Sequence, residues 1–121
     1  MKEDIQKRCN QLFEVIFKTT SGTIYRNGIN KNMYTIEFGN MFLSMSHDNM
    51  DRFEKFLSKT GEDQINQLMI PSIQKVVIQP MKSLGSYAFS KCEFLRLKEL
   101  VNGAKNIVLI EQELSEILNI S

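Results

Sequence analysis

The chain reads as an α+β protein: an antiparallel sheet built from hairpins, with two tandem strand–strand–helix units whose helices pack on one face, and a further helix at the C-terminus. Three observations predict this. A Gly39-Asn40 pair stands between two alternating apolar segments, the signature of a tight hairpin. Apolar residues then switch to helical spacing at Met50, Phe53 and Leu57. The same succession returns 44 positions later, when Ser46 is laid over Ser90.

The bounds are those of an ordinary globular protein. With 121 residues, 42% hydrophobic and 24% charged, one domain spanning 1–121 is expected. The net charge is +1, with Lys and Arg scattered along the chain, so no electrostatic footprint points to nucleic acid or to a membrane surface. The charged opening MKEDIQKRCNQ carries no apolar run of signal-peptide length, and no segment approaches a transmembrane span. Cys9 and Cys92 are expected as two free thiols of a cytoplasmic protein. Whether residues 1–10 are ordered is left open.

Taking the elements in order, LFEVIFKTT and TIYRN predict a first hairpin turning at Ser21-Gly22, a register that sets Phe17 opposite Arg26. Ile16 and Phe17 are consecutive apolars and spoil its alternation. Asn27-Gly28 marks the turn into the next strand. In MYTIEFGNMFLSMS the hairpin turn sets Phe38 opposite Met41, Ile36 opposite Leu43 and Tyr34 opposite Met45. All six share one face; Thr35, Glu37, Phe42 and Ser44 take the other.

The helix that follows is amphipathic on Met50, Phe53 and Leu57, widened by Phe56, with Ser46 at its N-cap and Gly61 as a left-handed C-cap. Residues 60–74 connect around Pro71, with a short helix through Gln64 to Met69. KVVIQ and YAFS, joined by PMKSLGS, form the second strand pair, and Phe94, Leu97, Leu100 and Val101 the second helical stripe, closed by Gly103. The two units form an internal repeat, about 32–61 and 75–103. Ile110, Leu114, Ile117 and Leu118 predict a third helix, with Ile107 to Leu109 open to a short strand before it.

The order of strand, Gly-Asn turn, FLSMS strand, capped helix and a second strand-rich unit ending in EFLRLKELV resembles that of small bacterial domains of unknown function. The likeness runs from about Thr23 to Gly103 and rests on core patterns. It implies a fold and no activity.

Candidate chemistry is sparse. His47, the single histidine, stands beside Asp48 at a helix start. An acid–base couple there competes with the plainer view that Asp48 complements the helix dipole, and neighbouring positions diverge on a helix, so the plainer view is preferred. Cys92 beside Lys91 could carry a lowered thiol pKa, but with no second histidine as base a partly buried inert thiol is expected. No CxxC or HxxxH spacing suggests a metal, and no cofactor motif occurs.

The expected function is therefore protein–protein contact or self-association, as a homodimer or with another protein, through the open sheet face or edge. Phe42, Glu37, Met33 and Leu95 are the candidate surface. The competing expectation is a ligand or enzyme site near His47, Asp48 or Cys92.

Overall fold

The structure, a computed structural model, describes residues 12–81 and 85–120; Cys9 and the question of residues 1–10 lie outside them. Four strands form an antiparallel meander in the order β1 (Phe13–Lys18), β2 (Gly22–Asn27), β3 (Met33–Phe38), β4 (Met41–Ser46).

The first hairpin departs from its expected register. Phe17 pairs with Ile24, not Arg26, and the register then shifts so that Val15 faces Tyr25 and Glu14 faces Arg26. The extra residue is Ile16. A bulge at this point places two residues against one, which resolves the consecutive apolars: Ile16 is buried and Phe17 packs against the core. At the next turn the Asn27 Oδ1 accepts from the backbone N–H groups of Ile29 and Asn30, both at 2.9 Å.

The β3–β4 hairpin has the expected register throughout. Gly39 takes φ 56°, the positive value a primed turn needs at its first central position. Tyr34, Ile36, Phe38, Met41, Leu43 and Met45 are all buried. On the other face Glu37 and Phe42 are exposed, while Thr35 is buried with its hydroxyl 2.9 Å from that of Ser44.

Helix α1 (His47–Lys59) starts at Ser46, whose Oγ accepts from the Asn49 N–H at 3.2 Å. Met50, Phe53 and Leu57 are buried as expected; Phe56 is exposed, and Glu54 takes the fourth buried position. The helix ends differently from expectation. Thr60 caps it in an extended conformation, its hydroxyl donating to the Phe56 carbonyl at 2.7 Å, and Gly61, at φ −81°, opens the next helix instead. Helix α2 (Glu62–Leu68) buries Ile65.

The second strand pair belongs to its own sheet. β5 (Met69–Ile70), β6 (Lys75–Ile78) and β7 (Tyr87–Phe89) form three antiparallel strands in that order. β6 holds Met69 and Ile70 on one edge and β7 on the other, and none of the three pairs with the four-stranded meander, so two sheets stand in place of one.

Helix α3 (Lys91–Ile120) starts with a reciprocal cap: the Glu93 N–H donates to Ser90 Oγ at 3.1 Å, and the Ser90 N–H to the Glu93 carboxylate at 2.9 Å. It then runs 30 residues without a break, through Gly103 and through Ile107 to Leu109. The expected second and third helices are one. Gly103 is a packing residue: a Cβ there would lie 2.3 Å from the Phe17 ring, so its absence lets α3 lie close on β1. Both long helices cover the same face of the four-stranded sheet, α1 over β3 and β4, α3 over β1 and β2. Phe94, Leu97, Leu100, Val101 and Ala104 complete the core from α3.

Candidate cleft between the two long helices

Between α1 and α3 a cleft of about 250 Å³ opens. Its floor is apolar: the Tyr34 side chain from β3, Met50 from α1, and Ala104 and Val108 from α3. Ionisable groups ring it. His47, Asp48, Asp51, Glu54 and Lys55 come from α1, Lys105 from α3, with Leu109 and Gln112 at the α3 edge.

One ion network ties the two walls together. Lys105 pairs with Asp51 directly and with Glu54 at 3.0 Å. Lys55, one turn along α1, reaches Asp51 at 3.0 Å. Hydrogen bonds from Lys105 and then Lys55 hold the Asp51 carboxyl down at about 2, against an ordinary 3.8. Burial alone would lower the Lys105 pKa; its bonds to Asp51 and Glu54 outweigh this and raise it. Glu54, buried, also accepts from the Ser58 hydroxyl at 2.7 Å.

A second cluster fixes the floor. Arg26 lies 5.8 Å from the Tyr34 ring centre and donates to Glu111 of α3 at 2.5 Å, with Glu14 at 3.5 Å. The His47 ring lies 5.9 Å from that of Tyr34. Asp48 has no ion-pair or hydrogen-bond partner for its carboxylate among the described residues.

Of the residues singled out in the sequence, the structure brings His47 and Asp48 together at the cleft mouth. Cys92 lies outside it. That thiol is free and exposed rather than partly buried, because position 92 is off the Phe94–Leu97–Val101 stripe. Glu37 and Phe42 are cross-strand partners on the outer sheet face, where Glu37 accepts from the Tyr25 hydroxyl at 2.8 Å. Met33 is half-buried at the far end of β3, and Leu95 is exposed on α3. Sequence reasoning missed Lys105, Glu54 and Tyr34 as site residues. A signal existed: Glu54 lies four residues after Met50 and Lys105 four after Val101, so opposite charges fall in phase with two apolar stripes.

A larger apolar feature lies farther along α3. Ile110, Leu114, Ile117 and Leu118 are 52%, 54%, 64% and 72% exposed. Among the described residues no group of His, Cys, Asp or Glu could hold a metal, and no helix is long and apolar enough to cross a membrane.

Fold and site together define a small α+β protein with a helix–helix cleft over a four-stranded antiparallel meander. The chain belongs to the family described as "Family of unknown function (DUF6686)", whose model matches residues 9–119. No curated protein and no solved structure matches it.

Proposed function

We propose that the chain is a non-catalytic interaction module that self-associates through the distal half of α3. The exposed ribbon of Ile110, Leu114, Ile117 and Leu118 carries this reading. Its spacing of four, three and one residues keeps all four side chains on one side of the helix, where water contact is unfavourable and a second apolar surface would relieve it.

Size and charge favour a second copy of the chain as the occupant. Two such ribbons facing each other remove on the order of 1,000 Å² from water in total, the threshold for a specific interface. Glu111, Glu113 and Glu116 flank the ribbon, and no Lys or Arg follows Lys105. The same acidic flanks oppose docking on an anionic lipid surface. The reading places the protein in the cytoplasm, where an exposed free thiol such as Cys92 is tolerated.

The outer sheet face supports the reading less. Phe42 is 62% exposed there, but its neighbours Thr35, Ser44, Tyr25 and Glu37 are tied in hydrogen bonds, so it stands as an isolated apolar residue.

Light scattering coupled to size exclusion tests this over a range of concentrations. A dimer is expected for the wild type and a monomer for Leu114→Lys with unchanged circular dichroism, while Phe42→Lys stays dimeric. A wild-type monomer at every concentration, or a Leu114→Lys dimer, overturns the reading.

A further inference from the structure

We propose that the cleft between α1 and α3 is a binding site for a small organic cation, an ammonium group carried on a single ring or short hydrocarbon chain. The site is separate from the α3 ribbon.

The ligand class follows from the balance of the walls. The floor of Tyr34, Met50, Ala104 and Val108 offers apolar and polarisable surface suited to a ring or chain, with the Met50 thioether a favourable neighbour for an aromatic edge. The rim holds three carboxylates, Asp48, Asp51 and Glu54, against two lysines. Both lysines are engaged: Lys105 by Asp51 and Glu54, Lys55 by Asp51. The charge left over is negative, and it resides on Asp48. An ammonium there would complete the rim with a charge-assisted hydrogen bond, while its hydrocarbon covers the floor.

The same bookkeeping disfavours an anion. It would have to draw Lys55 or Lys105 away from existing partners, and Lys105 could not leave without stranding the buried Glu54. Nor do the free backbone donors of the α1 start invite one. The His47 N–H is given to the Asn32 carbonyl at 2.8 Å, the Asn49 N–H to Ser46 Oγ, and the Asp48 carboxylate already faces that end. A bare metal ion is likewise disfavoured, since His47, Asp48 and Asp51 do not converge as a ligand set.

The test is an NMR titration of the ¹⁵N-labelled protein at pH 7 with phenethylamine, phenylacetate and 2-phenylethanol, three probes of similar shape and different charge. Phenethylamine is expected to shift amides in 47–51 of α1 and 104–112 of α3, with the other two weaker by roughly tenfold. Asp48→Asn should weaken the amine by a similar factor and leave 2-phenylethanol unchanged. Asp48 is exposed, so the substitution spares the fold. Leu109→Trp, crowding the mouth from another exposed position, should weaken all three. The proposal is overturned if phenethylamine produces no shifts in the cleft up to about 10 mM, if phenylacetate binds as well, or if Asp48→Asn binds the amine undiminished.

Discussion

Lys105 of α3 bonds directly to Asp51 of α1 and, from the same ammonium, to the buried Glu54, so one cation joins the two long helices. Asp51 titrates in the folded state at about 2, below its ordinary 3.8. Its contribution to stability is therefore full above about pH 4 and fades as pH falls toward 2. Lys105 behaves oppositely: its raised pKa contributes below the ordinary lysine value of 10.5 and is lost as pH rises beyond it. In urea denaturation at pH 7, Asp51→Asn should cost about 1 kcal/mol. Lys105→Met should cost about 2 kcal/mol, because it leaves Glu54 without its cation. The acid-side loss of stability between about pH 4 and 2 should be shallower in Asp51→Asn.

At Gly103 two effects oppose each other. Alanine there would gain about 1 kcal/mol of helix propensity. It would also press a Cβ into the Phe17 ring, an overpacking cost of about 1–3 kcal/mol. A net loss is expected for Gly103→Ala. The loss should shrink in the Phe17→Leu background, a coupling read from the double-mutant cycle.

Ser90→Ala removes one half of the α3 cap and should cost about 1 kcal/mol. The Glu93 carboxyl is held below its ordinary value first by the backbone N–H of residue 90 and second by the serine side chain. Alanine keeps that N–H, so the Glu93 pKa followed by NMR should rise only part of the way back. A complete return to the ordinary value would contradict the cap geometry.

Phe42→Lys should change stability by less than about 0.5 kcal/mol, since the side chain is largely exposed. Its cross-strand partner is Glu37, which favours a lysine at that position. Thermal denaturation of the variant measures this.

The parts of the fold legible in sequence were those where one local rule acted alone. The β3–β4 register followed from Gly39 and six alternating apolar residues, and the Ser46 cap from the helical apolars that follow it. The misread parts involve a second element. Gly103 has the residue type of a helix end, yet its role is set by Phe17 on a strand far away in sequence. Phe17 pairs with Ile24 because of a bulge at Ile16 that alternation does not announce. The third strand of the second sheet is Met69 and Ile70, two residues too short to carry a periodic pattern. At the site, His47 and Asp48 were visible as residue types, but the cleft needs α3 beside α1, and only the charges at Glu54 and Lys105, in phase with their apolar stripes, hinted at that pairing.

An unbroken α3 makes the chain's tolerance of length changes lopsided. One residue inserted after Val108 would turn everything downstream by about 100° and advance it about 1.5 Å. Glu111 would swing away from Arg26, Gln112 would leave the cleft rim, and the aliphatic ribbon would face another direction, all with helicity intact. The same insertion in the exposed turn between β5 and β6 would lengthen a loop and re-aim nothing. That turn can drift in length, while residues 91–118 are counted one by one.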